Sequence, residues 1–179
     1  MDASTPDKNL QYVGVARRVV AFVLDFIAIG GYILILLGVG MSLNAAPGGA
    51  SWLASPLAMN VLSFSVLVLP VILYFSLQEG SAYQATWGKR RAKIKVVNAR
   101  GTRVSLLQAL LRSAIKFLPW QLAHMSITYI WFGKQSPIFF AGALAAQGLV
   151  GVYLLCLWLS KKHQTPYDWV ARTFVILAD

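Results

Sequence analysis

An aspartate interrupts the first long apolar segment of the chain, and an arginine stands seven residues before it. These residues are Arg18 and Asp25, and the apolar segment runs over about residues 19–43. An ionised carboxylate inside a bilayer costs about 2.5–3.5 kcal/mol unless a cation, a hydrogen-bond donor or water reaches it. Such a group either exchanges a proton for a cation or fixes neighbouring segments together. The sequence therefore raises two functions, ion exchange and a structural clamp.

Arg18 and Asp25 are not expected to contact each other directly. Seven residues of helix rise about 10 Å, so an ion pair is out of reach even though both side chains lie on one face. We expect each to find a partner elsewhere, such as Arg112, Lys116 or the C-terminal segment.

A polar stripe in the third apolar segment gives secondary candidates. Gln121 and His124 could continue an ion path outward, although interhelical hydrogen bonding is the commoner use of such residues in a membrane. Arg112 is a further candidate, because it precedes this segment and can reach back toward Asp25.

The sequence lacks the residue patterns of an enzyme or of a metal centre. It has a single cysteine, Cys156, and two histidines. Their spacing matches no metal motif, and neither a pair of catalytic carboxylates nor a serine–histidine–aspartate set can be picked out. We expect no enzymatic activity, no cofactor and no bound metal.

The composition predicts an integral membrane protein. Of the 179 residues, 58% are hydrophobic and 12% are charged, and the mean hydropathy is +0.63. A soluble domain carries about 25% charged residues, so this chain cannot cover a core with a wettable surface. The net charge of +10 arises from clusters between apolar runs, which is typical of cytoplasmic loops and not of a nucleic-acid interface.

The apolar runs predict an all-α fold with four transmembrane helices in a single domain over residues 1–179. The 53 residues between Asp25 and Glu79 carry no charge, and a Pro- and Gly-rich stretch divides them into two spans. The run over 117–132 rises only about 24 Å and is the shortest crossing. The four spans are expected at about residues 19–43, 57–77, 117–132 and 138–159.

A basic cytoplasmic segment is predicted over residues 78–116. Its residues 94–97 and 102–104 read as two short strands around a turn, which predicts a small β-hairpin. Residues 107–118 have amphipathic helical spacing, which favours a helix lying in the headgroup layer. Lys89, Arg90 and Arg91 are candidates for contact with anionic lipid headgroups, or they serve only to set the topology.

Charge counting orients the four spans. With both termini in the cytoplasm, fifteen of the sixteen Lys and Arg residues lie inside and only Lys134 lies outside. If residues 117–132 do not cross, the division becomes thirteen to three. The positive-inside rule therefore favours four spans in the cell (inner) membrane with both termini cytoplasmic.

Several motifs, in order along nearly the whole chain, resemble the RDD family of membrane proteins. Arg18 and Asp25 match the arginine and first aspartate of that family, and Asp168 matches the second aspartate. The middle segment is similar through Gln84-x-Thr86-x-Gly88-Lys89-Arg90 and through Arg112. The resemblance implies a helical membrane fold, and cation/proton exchange has been proposed for some members.

Three functions remain open from the sequence. Arg18, Asp25 and Asp168 could form one polar cluster on the cytoplasmic side that acts chiefly as a structural clamp. Alternatively, Asp25 could carry the exchange of a monovalent cation for a proton. Four spans are few for a transporter unless it forms a homo-oligomer, for which the small residues Gly142 and Ala146 offer a contact. The third alternative is a scaffold that binds anionic lipid or partner proteins.

Overall fold

The computed structural model describes residues 11–45 and 55–178. The turn expected between the first two spans, the N-terminal tail with Lys8 and the last residue lie outside these described ranges. Four long helical segments lie in the described residues. The first is α1 (Val15–Ala45), and the second consists of α2 (Pro56–Ser63), a π-helical turn (Phe64–Val68) and α3 (Leu69–Glu79) without a break. The third and fourth are α5 (Leu106–Trp131) and α6 (Pro137–Leu159). The short elements are the helices α4 (Trp87–Arg91) and α7 (Pro166–Val170) and the strands β1 (Ile94–Asn98) and β2 (Thr173–Leu177).

Three of the helical segments are long and apolar enough to cross a membrane. They are Val15–Leu43, Pro56–Glu79 and Pro137–Leu159, and they contain three of the four expected spans. Many of their apolar side chains are exposed, such as Leu34 at 70% and Leu144 at 73%, as lipid-facing residues would be. The helical membrane class is therefore confirmed, whereas the count of four spans is not.

The expected interfacial helix and the short span at 117–132 are one continuous helix, α5. Ser105 and Gln108 start this helix, since the Ser105 hydroxyl oxygen accepts the Gln108 N–H at 3.2 Å and the Gln108 side chain accepts the Ser105 N–H at 3.2 Å. Pro119 lies within it. The amphipathic stretch therefore runs directly into the apolar one, because a change from amphipathic to apolar spacing does not itself end a helix.

The predicted β-hairpin is largely absent from the described residues. β1 pairs along its whole length with the C-terminal strand β2, antiparallel, with Val96 opposite Val175. Only an isolated bridge joins Val97 to Arg103. The run Thr173–Leu177 offers a longer row of β-branched and apolar side chains than residues 102–104, so pairing with it buries more apolar surface.

The chain forms two compact units. The first contains the described residues up to Phe26, Ile72–Lys116, and the described residues from Gly151 onward. Its core lies between the sheet and the parts of α1 and α5 that belong to this unit, and it contains Val13, Ala21, Ile94, Val96, Val104, Ala109 and Val175.

The second unit contains Ile27–Val71 and Phe117–Val150. Within it α6 approaches α5 closely, because a Cβ built on Gly142 would collide with the Ser126 hydroxyl. Ala146, one turn later, is buried. The small-residue spacing thus serves packing within the chain, which is its commoner use. The Tyr32 hydroxyl donates to the Val66 carbonyl in the π-helical turn.

Candidate functional site

Asp25 is buried and accepts three hydrogen bonds from uncharged donors. The Thr86 hydroxyl donates to Oδ2 at 2.6 Å, and the Gly88 N–H donates to Oδ1 at 2.8 Å. The Tyr74 hydroxyl donates to Oδ1 at 3.2 Å. Asp25 itself is 1% exposed. The basic segment therefore does reach Asp25, as expected of a clamp, but through a hydroxyl and a backbone amide rather than through a cationic side chain.

Gly88 is needed for this approach of α4 to α1. A Cβ at this position would collide with the Ala21 carbonyl oxygen and would lie 2.8 Å from the Asp25 Cγ. Thr86 is the N-cap of α4, and its hydroxyl oxygen also accepts the Lys89 N–H at 3.4 Å. The spacing of Thr86 and Gly88 therefore presents two donors to one carboxylate.

Asp168 lies in α7 and is paired with two arginines. The Arg18 Nη1 donates to its Oδ2 at 3.0 Å, and the Arg112 Nε donates to its Oδ1 at 2.9 Å, with the Arg112 Nη2 lying 2.8 Å from the same oxygen. Its Oδ2 also accepts the Thr165 N–H at 3.1 Å, as the third residue of a capping box does. Arg18 thus finds its partner in the C-terminal segment, which was one of the expected places.

Glu79 completes the network and was missed as a site residue. It is fully buried at the end of α3, where Lys89 and the Nη1 of Arg112 both pair with it. The sequence carried a signal, because only three acids lie between residues 11 and 178, namely Asp25, Glu79 and Asp168. All three are at most 1% exposed. In the sequence, Glu79 stands out only as the end of an uncharged run.

Arg112 is the side chain that joins the ion pairs. It is 2% exposed and contacts both Glu79 and Asp168, and its guanidinium also lies 5.2 Å from the centroid of the Tyr167 ring. The planar fork of arginine suits two carboxylates at once, which lysine could not match. We name the set Arg18, Asp25, Glu79, Lys89, Arg112 and Asp168 the charge network; it lies entirely within the first unit.

Burial and charge act in opposite directions on the groups of this network outside the spans. Burial alone would raise the pKa of Asp168, but the guanidinium groups of Arg112 and then Arg18 outweigh it and hold that pKa well below its usual range. Burial lowers the pKa of the Lys89 ammonium, and the Glu79 carboxylate opposes this effect.

The other candidate residues are placed differently. Lys89 is 7% exposed and paired with Glu79, so its assignment to lipid contact is wrong. Arg90 and Arg91 are exposed, and both remain available to headgroups. Gln121 and His124 belong to the second unit, where the Gln121 Oε1 and the His124 Nε2 are buried without a hydrogen-bond partner among the described residues.

A small cavity of about 50 Å³ opens beside the network in the first unit. Its polar wall consists of Arg18, Asp25, Lys89, Arg112, Lys116 and Tyr167. Residues 11–45 and 55–178 contain no group of three or more His, Cys, Asp or Glu that could hold a metal ion. The arrangement can therefore hold charged groups apart from lipid and can admit a few water molecules or a small ion.

Comparison with known proteins identifies the family but no nearer relative. No curated protein and no solved structure matches this chain. The RDD family matches residues 12–172, a range that contains the whole charge network and β1 and ends just before β2. The match covers most of the chain, and three helices of the described residues are long and apolar enough to cross a membrane; the chain therefore belongs to the RDD family.

Proposed function

We propose that the charge network is a structural clamp that fastens the sheet and the short helices of the first unit to the ends of its membrane helices. Each buried acid joins separate elements: Asp25 joins α1 to α3 and α4, Glu79 joins α3 to α4 and α5, and Asp168 joins α7 to α1 and α5. The observation that carries the proposal is Arg112, which pairs with two of these acids at once.

The energetics of buried ions favour this role. Removing one partner of a buried ion pair leaves an uncompensated charge and costs about 3–5 kcal/mol, which exceeds what most single contacts contribute. A network in which every acid has several donors fixes one arrangement of five helices and penalises others. The clamp would thereby keep residues 78–116 and the C-terminal segment docked.

We further propose that α5 crosses the bilayer as a fourth span. Its residues 117–131 rise about 23 Å, and the preceding turns, which carry Arg112 and Lys116, extend the helix to about 39 Å, against a hydrocarbon thickness of about 30 Å. This span places the charge network on the cytoplasmic side of the inner membrane and leaves Lys134, which is exposed, outside. Both termini are then cytoplasmic.

Cation/proton exchange through Asp25 is the second candidate, and the cavity that reaches this residue favours it. Against it, both carboxylate oxygens already accept hydrogen bonds from Tyr74, Thr86 and Gly88. The purified protein in liposomes under a proton gradient separates the two functions. Dissipation of the gradient on adding sodium or potassium, lost in Asp25→Asn, would support exchange, and its absence would leave the clamp.

The clamp is tested by a double-mutant cycle on Arg18 and Asp168. Unfolding in a mild detergent is measured for Arg18→Met, Asp168→Asn and the double variant. Because the two side chains are 3.0 Å apart, we expect a coupling free energy of at least about 1 kcal/mol. Arg17 is exposed and serves as the matched control, since Arg17→Met with Asp168→Asn should be additive. Additive losses for Arg18 as well would count against the clamp.

A further inference from the structure

Arg18 uses only part of its guanidinium in the charge network. Its Nη1 pairs with Asp168, whereas Nε and Nη2 are buried and have no hydrogen-bond partner among the described residues. The side chain is 9% exposed. The N–H bonds of Nε and Nη2 run parallel along one edge of the guanidinium, which is the edge that binds two oxygens of one oxyanion. Leaving these donors without a partner is costly, because each has lost its water.

We propose that the cavity beside Arg18 binds a phosphate-type oxyanion through this free edge. Arg18 lines the cavity together with Lys89, Arg112 and Lys116, so four cationic side chains surround it. The three carboxylates of the described residues are Asp25, Glu79 and Asp168, and all belong to the charge network. The four cations of the cavity wall therefore outnumber these three carboxylates by one, and a bound anion would offset this local excess.

The chemistry of the wall favours an anion over a cation. A cation entering the cavity would approach four positive groups, and the only carboxylate on the wall, Asp25, already has hydrogen bonds to both oxygens. An oxyanion would meet the free edge of Arg18 and the ammonium of Lys116. The site is therefore distinct from an exchange site at Asp25.

The size and the surroundings of the cavity fit one phosphate group. A water molecule needs about 10–15 Å³ of such space, so a cavity of about 50 Å³ holds a few waters or one tetrahedral group rather than a metabolite. Phe22, which is 47% exposed on α1, forms part of the wall and places the cavity next to the outer surface of the first unit. The phosphate can come from a lipid headgroup or from free inorganic phosphate.

Two probes distinguish these sources. Purified full-length protein in a neutral, phosphate-free detergent is dialysed against radiolabelled orthophosphate at constant ionic strength. The same protein is titrated with dioctanoyl phosphatidic acid, with dioctanoylglycerol as the matched lipid that lacks the phosphate. We expect saturable binding near one per chain. Binding of orthophosphate alone assigns the site to a soluble anion, and binding of phosphatidic acid alone assigns it to a headgroup; saturable binding of neither overturns the proposal.

Conservative variants connect the binding to the free edge of Arg18. Arg18→Lys keeps a positive charge for Asp168 but removes the paired donors, so we expect affinity to fall about tenfold or more. Arg17→Lys, one residue away and exposed, should bind as the wild type does. Lys116→Gln, which removes one charge from the wall, should weaken binding several-fold and decides the matter if Arg18→Lys does not fold. Undiminished binding in the folded variants would overturn the proposal.

Discussion

Single residues of the charge network hold their charges in two different ways. Asp25 is satisfied by a phenol, a hydroxyl and a backbone amide, whereas Glu79 and Asp168 are satisfied chiefly by cations. The second arrangement neutralises charge and the first does not, so the acids are not interchangeable. Substitution of Glu79 or Asp168 therefore leaves a buried cation without its partner, whereas substitution of Asp25 leaves uncharged donors without an acceptor.

Asp168 should make the protein sensitive to acid. Its pKa is held far below the usual range in the folded chain, so its stabilisation is present above the unfolded pKa of about 3.9 and is lost as pH falls toward the folded value. We expect Asp168→Asn to lose about 3 kcal/mol at pH 7. It should then lose less than the wild type between pH 5 and pH 3. Thermal unfolding in detergent at several pH values measures both effects, and parallel pH profiles would refute the assignment.

Gly88 should tolerate no side chain. In Gly88→Ala the new Cβ meets the Ala21 carbonyl and the Asp25 carboxyl, neither of which can move without separating α1 from α4. We expect a loss of about 2 kcal/mol or more in the free energy of unfolding. Gly30→Ala on α1 is the control, because nothing lies within 4 Å of its Cβ and alanine favours helix. Equal stability of the two variants would contradict the close approach.

The sequence marked most residues of the charge network, and there is a physical reason why it did not mark Glu79. The resemblance to the RDD family marked Arg18, Asp25 and Asp168, and the ordering of the motifs included Arg112. Glu79 escaped because an acid at the end of an apolar helix looks like a boundary residue. Only the fold shows that Lys89 and Arg112 turn toward it.

Among the secondary-structure elements, the strand pairing differs most from the prediction made from the sequence. Local spacing predicted that β1 would pair with residues 102–104, whereas it pairs with β2 about eighty residues later. Patterns within a short window cannot report a partner so distant, and the longer β-branched run is the better partner. Likewise, α5 shows no break where its pattern changes.

Cysteine cross-linking tests the strand register. Lys95 lies opposite Ile176, so Lys95→Cys with Ile176→Cys in a Cys156→Ser background should form a disulfide under mild oxidation. Lys95→Cys with Val104→Cys is the control, because a hairpin would bring these two positions together. Non-reducing electrophoresis after proteolysis distinguishes the two pairs. Cross-linking of the control pair alone would restore the hairpin.

For the whole molecule, the crossing of α5 determines the topology. With three crossings Lys134 would lie inside and the C terminus outside, whereas with four crossings Lys134 lies outside and the C terminus inside. We expect a cysteine at Lys134 to react with an impermeant reagent from outside and one at Ala178 to react only from inside, in a Cys156→Ser background. Arg100→Cys, in the basic segment, provides the inside control. Labelling of Lys134→Cys only from inside, or of Ala178→Cys from outside, would contradict four spans.

The most direct measurement of the clamp is amide hydrogen exchange in Arg112→Met. This variant keeps much of the side-chain volume but removes the cation that joins Glu79 to Asp168. We predict that amides of β1 and β2 exchange at least about tenfold faster than in the wild type, since local opening becomes easier by about 1.4 kcal/mol or more. Amides of α6 within residues 137–150 should keep their protection. Unchanged protection of both strands, in a folded variant, would contradict the clamp.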